Sequence, residues 1–239
     1  MTPPRPAAAI FDVFGTLVDW RGAIAREVAA AFAAKGLAVD AEAFADAWRA
    51  EYQPAMERVR AGARGYVPLD VLHRENLERV LAARGVTAFD PAGIAALAAA
   101  WERLDPWPDV RPGLALLRPH MLLAPCSNGS IALMVRLARH AGLVWDAVLG
   151  AEIARDYKPK PAVYRAACAA LGLPPGRVMM VAAHEDDLAA ARAAGLLTGF
   201  VPRPLEHGPH RQPAAPRGGW DAAAPDLPRL AATLLGAGG

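Results

Sequence analysis

The sequence predicts an α/β protein: a parallel sheet with helices on both faces, interrupted after its first strand by an all-helical insertion. Three observations predict it. The stretch from Ala7 to Phe14 is short, continuously apolar and closed by the turn residues Gly15-Thr16. That is the pattern of a strand buried on both faces. From about Trp20 to Leu104 no strand pattern occurs, and helix-period segments follow one another. After the Pro-rich stretch Asp105-Pro106-Trp107-Pro108-Asp109, apolar runs alternate with helix-period segments. This βαβα order implies a parallel sheet.

The elements follow in order. The first strand contains an anomaly, Asp12, a carboxylate at the end of a buried run. The insertion reads as four helices: Gly22 to Ala34, Asp40 to Gln53, Pro68 to Ala83, and Pro91 to Arg103. Asp40 suits an N-cap, and Phe44, Trp48 and Tyr52 recur at helical spacing behind it. Pro54 is expected to end or kink that helix. Asp90-Pro91 reads as a cap followed by a first-turn proline.

Past the Pro-rich stretch, Gly113 to Pro119 reads as a short helix and Met121 to Cys126 as a strand. Ile131 to His140 is the next helix and Val148-Leu149-Gly150 a short strand. Pro161 to Leu171 places Tyr164, Ala167, Cys168 and Leu171 on one helical face. Val178 to Val181 is a strand, Asp187 to Ala194 a helix and Leu196 to Val201 a strand. Residues 202–228, rich in Pro, Gly and Ala, read as a surface loop, followed by a helix from Asp226 to Leu235.

Composition narrows the function. Of the 239 residues, 54% are hydrophobic, which excludes a disordered chain. No apolar run approaches the ~20 residues that span a bilayer. The start lacks the apolar core of a signal peptide, so a cytoplasmic location is expected. A net charge of +2, scattered along the chain, gives no case for nucleic acid. Two cysteines, Cys126 and Cys168, are too few for a disulfide framework or a zinc site. Of 26 basic residues only Lys35, Lys158 and Lys160 are lysines. A lysine retained in so arginine-rich a chain points to a place where guanidinium does not serve, and two of the three lie in Tyr157-Lys158-Pro159-Lys160.

In open parallel sheets ligands bind beyond the carboxyl ends of the strands. Those ends carry Asp12 with Thr16, then Ser127 and Asn128, then Lys158 before a helix, then His184, Asp186 and Asp187. Each has an ordinary reading alone. Asp12 suits a turn, Ser127-Asn128-Gly129 a helix cap, Lys158 a solvated face and Asp187 an N-cap. Their joint placement at four strand ends favours a site.

Asp12-Val13-Phe14-Gly15-Thr16-Leu17-Val18-Asp19, Ser127-Asn128-Gly129, Tyr157-Lys158-Pro159 and Asp186-Asp187 resemble the four motifs of the haloacid dehalogenase superfamily, in order, across about Ala8 to Val201. The resemblance implies a Rossmann-like three-layer core made of residues 1–18 and 106–239. It also implies a helical cap of residues 19–105, an aspartate nucleophile at Asp12 and, commonly, a homodimer. Most members are magnesium-dependent phosphatases with a second Asp two residues after the nucleophile. Phe14 stands there, and phenylalanine cannot donate a proton. Halide departs without one. Phe14 therefore resembles the L-2-haloacid dehalogenase branch, which acts on short haloacids with no metal or other cofactor. A magnesium phosphatase and a non-catalytic small-acid binder are the alternatives.

The same resemblance distributes roles. Asp12 would displace halide and form an ester, with Thr16 bonding it and Lys158 keeping it ionised. Asp187 would orient Lys158 or activate water. Ser127 and the following amides would hold the substrate carboxylate, and Asn128 would contact halide. Arg49, after Trp48, resembles the cap arginine that guides substrate and meets halide; alone it is one of 23 arginines. Tyr164 matches a tyrosine near the substrate, and helix packing accounts for it equally well. One stretch departs from the pattern: many members read Ser-Ser-Asn where this chain has Ala182-Ala183-His184. His184 would bond water or halide in place of the amide, or merely start a helix.

Overall fold

A computed structural model describes residues 6–209 and 218–236. The chain opens with β1 (Ala8–Phe11) and reaches a two-residue strand, β2 (Val18–Asp19). The insertion follows as α1 (Trp20–Ala33), α2 (Ala41–Ala50), α3 (Tyr52–Arg60), α4 (Leu69–Ala83) and α5 (Pro91–Ala98), with a 3-10 turn at Ala99–Glu102. The chain returns through β3 (Asp105–Pro106), which pairs antiparallel with β2. Entry and exit of the insertion thus lie side by side.

The remainder alternates: α6 (Val110–Leu117), β4 (Leu122–Ser127), α7 (Ile131–Ala141), β5 (Leu149–Gly150), α8 (Ala151–Ala154), α9 (Pro161–Ala170), β6 (Val178–Ala182), α10 (Glu185–Ala193), β7 (Leu197–Phe200), β8 (Ala222–Ala223) and α11 (Leu227–Gly236). The six-stranded sheet runs β5-β4-β1-β6-β7-β8, and every pairing in it is parallel. β1 is central. The chain moves from β1 to β4 on one side and later to β6 on the other, so the crevice where ligands bind opens at the end of β1.

Strand periodicity sorts the core. Ala9, Phe11, Leu123, Met179 and Val181 face one apolar cluster with α6, α7, α11 and the insertion. Ala8, Ile10, Ala124, Cys126, Val178, Met180 and Ala182 face the other, with α9 and α10. Successive side chains point to opposite faces, which is why both parities must be apolar in a sheet covered twice. The helices start where the sequence has caps: Asp40 accepts from Ala43 N, Asp90 from Gly93 N and Ser130 from Leu133 N.

Several expectations shift. The chain breaks helix at Glu51, between α2 and α3, rather than at Pro54. Pro54 sits in the first turn of α3, where its missing N–H goes unused. The helix expected from Gly113 begins at Val110, and that expected from Asp187 begins at Glu185. The segment read as a surface loop holds β8 and a firmly tied turn. There Arg203 bonds the Thr16 carbonyl and pairs with both Asp109 oxygens. Residues 210–217 of that segment lie outside the described residues.

Candidate active site

Strand β1 ends at Phe11, and the ladder continues one residue further, Asp12 N donating to Val181 O at 3.0 Å. This fixes the Asp12 backbone and sends its side chain past the sheet edge. The turn then closes through Gly15, whose φ of +83° lies in the left-handed region that favours glycine.

Donors surround both Asp12 oxygens. Lys158 Nζ lies 2.8 Å from Oδ1. Thr16 Oγ1 donates to Oδ2 at 2.7 Å, and His184 Nδ1 stands 2.9 Å from the same oxygen. Burial alone would favour a protonated Asp12. The Lys158 ammonium, with His184, overrides it and holds the carboxyl well below the ordinary range. Thr16 is aligned in turn, since its hydroxyl accepts from Ala183 N at 2.9 Å.

Lys158 also reaches Asp187 Oδ2 at 2.5 Å. Burial opposes its charge, but Asp12 and Asp187 push its pKa well above the usual lysine value. Asp187 moves the other way: burial, and the neighbouring Asp12 charge, raise it against the pull of Lys158. Tyr164 donates to its second oxygen at 2.5 Å. The lysine backbone is held as well. Asn128 Oδ1 accepts from Lys158 N at 2.8 Å, and Arg60 donates to Lys158 O at 2.7 Å. Magnesium chemistry would need this carboxylate pair for a cation. Here Asp12 and Asp187 already clasp an ammonium, and the side chain of Phe14 adds no carboxylate oxygen, so this pair is not free to hold a divalent ion. Among the described residues no group of three or more His, Cys, Asp or Glu side chains is placed to hold a metal.

A cavity of about 260 Å³ opens above Asp12. Asp12, Phe14, Arg49, Asn128, Lys158, His184 and Asp187 line it, all of them singled out in the sequence. Thr16, Ser127 and Tyr164 do not; each is fully buried beneath it. Ser127 Oγ is occupied, accepting from Gly129 N at 3.0 Å. Sequence reasoning passed over Tyr52, Gln53 and Pro159 as lining residues. Tyr52 accepts from Asn128 Nδ2 at 3.2 Å, and the Arg49 guanidinium carbon lies 3.9 Å above its ring. Its spacing of three from Arg49, within the single helix expected from Asp40 to Gln53, was the available signal; the structure keeps the two side chains together across the break at Glu51.

Arg49 has aromatic rings around it, and among the described residues no carboxylate forms an ion pair with it. Trp20 and Phe14 lie 5.2 and 6.0 Å from its guanidinium carbon. Its Nη1 is buried with no hydrogen-bond partner. A buried donor in that state is costly, and an anion in the cavity would satisfy it. Phe14 meets Tyr52, His73 and Trp101 edge-on. The result is an apolar wall beside one unsatisfied cation.

The residue with no sequence signal is Glu206. It lies in the turn after β7, is buried, and accepts from Trp20 Nε1 at 3.1 Å. His184 Nε2 stands 2.9 Å from its Oε2. The imidazole therefore bridges Asp12 and Glu206. Burial works against its charge, but the two carboxylates raise its pKa to about 10.

A family model described as haloacid dehalogenase-like hydrolase matches residues 6–195. An (S)-2-haloacid dehalogenase of Xanthobacter autotrophicus is 31% identical over 198 residues, covering 82% of this chain and 75% of that protein. The crystal structure of a defluorinating L-2-haloacid dehalogenase superposes with a TM-score of 0.94 at 49% identity, covering 96% and 95% of the two chains. That of an L-2-haloacid dehalogenase with chloropropionic acid covalently bound gives 0.80 at 26% identity, covering 97% and 99%. With its parallel sheet, its inserted helices and Asp12 held by Lys158 at the end of β1, the chain belongs to the haloacid dehalogenase-like hydrolase family.

Proposed function

We propose that this chain hydrolyses the carbon–halogen bond of short 2-haloalkanoic acids, such as haloacetates and L-2-halopropionate, giving 2-hydroxy acids. The observation that carries the reading is the environment of Phe14. A phosphatase needs a carboxyl there to protonate an alkoxide. Instead a buried ring packs among Tyr52, His73 and Trp101, beside Arg49, whose Nη1 has no hydrogen-bond partner. An apolar wall with one cation suits a departing halide. The names of the relatives agree with it.

Asp12 Oδ1 attacks the halogen-bearing carbon from the side opposite the halogen. The O–C bond forms, and the halide leaves with the electron pair of the C–X bond toward Arg49 and Asn128, inverting the centre. Holding the two reactants in line supplies up to about 7–11 kcal/mol of the barrier. Water then attacks the Asp12 carbonyl carbon, and the 2-hydroxy acid departs with the former Oδ1. Lys158 keeps Asp12 ionised, and its compact ammonium fits between two carboxylates where a planar guanidinium would not. Asp187, with its raised proton affinity, takes the proton of the attacking water. Residues 19–105 act as a cap that closes the cavity and brings Arg49 to it.

A homodimer is carried by the family resemblance, and sedimentation analysis tests it. Two free, buried thiols, Cys126 and Cys168, suit a reducing compartment and support a cytoplasmic location. Among the described residues no helix is long and apolar enough to cross a membrane. Halide release from a panel of 2-haloacids in EDTA tests the activity. Release without metal is expected; phosphate-ester hydrolysis appearing only with magnesium would overturn it.

A further inference from the structure

We infer that His184, seated on Glu206, is an oxyanion donor for hydrolysis of the Asp12 ester, and that Glu206 is the positioning residue that keeps its imidazole doubly protonated. This rests on the dehalogenase reading and assigns the second half of that reaction.

The geometry divides the labour of the two Asp12 oxygens. Oδ2 is held by Thr16 at 2.7 Å and His184 at 2.9 Å, whereas Oδ1 meets Lys158 alone among the side chains that bond Asp12. Oδ1 is thus the oxygen free to attack, and Oδ2 becomes the carbonyl oxygen of the ester. When water adds to the carbonyl carbon, the C=Oδ2 electron pair moves onto Oδ2. Water gives one proton to Asp187. Collapse reforms C=Oδ2 and breaks the bond to Oδ1, whose alkoxide takes that proton back and leaves as the hydroxyl. The regenerated Asp12 carboxyl releases the last proton to solvent. Charge therefore builds on Oδ2, where Thr16 and His184 already point. Fixed donors aimed at developing charge need no reorganisation during the reaction.

His184 has a carboxylate against each ring nitrogen, Asp12 on Nδ1 and Glu206 on Nε2. Ionised carboxylates only accept, so both nitrogens must carry hydrogen. Lys158 and Asp187 lie beyond Asp12, and His207 stands 3.9 Å beyond Glu206. The raised pKa of His184, about 10, agrees with an imidazolium across the neutral range. Glu206 is built in: a Cβ on Gly15 would lie 2.1 Å from its Oε1, so glycine at 15 makes room for this carboxylate. Forming the ester removes the Asp12 charge, and among the described residues Glu206 is then the carboxylate paired with the imidazole that keeps it protonated.

The test uses the full chain with L-2-chloropropionate, following first-turnover chloride release, the mass of the intact protein and the pH profile of turnover. His184→Ala, which leaves no side-chain donor at the position, should release one equivalent of chloride, accumulate the ester mass and turn over about 10²–10³-fold more slowly. Glu206→Gln should accumulate ester to a lesser degree. Its activity should fall with rising pH at a lower pH than in the wild type. A simple packing role would not move that alkaline limb. Turnover in Glu206→Gln that instead rises through the same range would make His184 a neutral base and overturn the inference. So would His184→Ala turning over normally with no ester. Should His184→Ala not fold, the Glu206→Gln profile decides. Failure of the parent reading looks different: the wild type itself releases no chloride in its first turnover.

Discussion

Lys158 is the residue on which the site balances. Its ammonium lies between two buried carboxylates, 2.8 Å from Asp12 and 2.5 Å from Asp187. Removing one partner of a buried ionic group leaves uncompensated charge, which costs about 3–5 kcal/mol. Lys158→Met should therefore lower the free energy of unfolding by about that amount in urea titrations at neutral pH, as well as abolish halide release. Unchanged stability would mean that Asp187 takes up a proton without penalty. Asp12→Asn should reduce halide release to background with little change in fold, checked by circular dichroism. At this scale the sequence was informative where a residue was out of place. Asp12 ended an apolar strand, Phe14 stood where an acid was expected, and Lys158 was one of three lysines. Glu206 was illegible for the opposite reason. It is a glutamate in a segment rich in Pro and Gly, and its burial depends on the folding back of a distant turn onto Gly15 and Trp20.

Elements were legible in proportion to their length and to how local their causes are. Helices with a side-chain cap, such as α2 behind Asp40 and α5 behind Asp90, start where the caps stand. Strands β1, β4 and β6 were readable because burial on both faces makes nearly every position apolar. β2, β3 and β8 have two residues each, and no period can show in two residues. They exist because tertiary pairing makes them. The break at Glu51 was misplaced onto Pro54, since a proline looks the same at a helix end and in a first turn. Helix packing offers a test at this scale. Gly113 in α6 lies against α11, and a Cβ there would meet Leu227 Cβ at 2.3 Å and its carbonyl carbon at 2.9 Å. Gly113→Ala should destabilise by about 1–3 kcal/mol, as overpacking does, with halide release per folded molecule retained. A neutral effect in denaturant would show that α11 shifts freely.

Across the whole molecule, the insertion and the sheet share one apolar cluster: Phe11 and Val181 belong to it with Trp20, Trp48 and Trp101. Residues of the insertion reach the site directly, through Tyr52 to Asn128 and Arg60 to Lys158 O. The βαβα order and the helical insertion were readable in the sequence because they depend on chain-long patterning. The joining of the two parts was not, because it is made by pairs such as these, 76 and 98 residues apart.

Stability should carry the imprint of the charge pattern. His184 has a raised pKa, so its contribution is fully present below the unfolded value of 6.5 and fades as pH rises through about 10. Buried Cys126, raised to about 12, begins to cost stability only above the ordinary thiol value near 9. His73, held low by burial and by Arg49, costs stability on the acid side of 6.5. Between about pH 7.5 and 9 the decline should therefore belong mainly to His184, and His184→Asn should flatten it in denaturant titrations.

The central claim is that Asp12 itself, and not water, attacks the substrate carbon. One turnover with enzyme in excess, run in water labelled with oxygen-18, tests it most directly. The product oxygen comes from Asp12 Oδ1, so the 2-hydroxy acid should carry no label while the peptide containing Asp12 gains one labelled oxygen. Label found in the hydroxy acid, with none in that peptide, would contradict the ester mechanism.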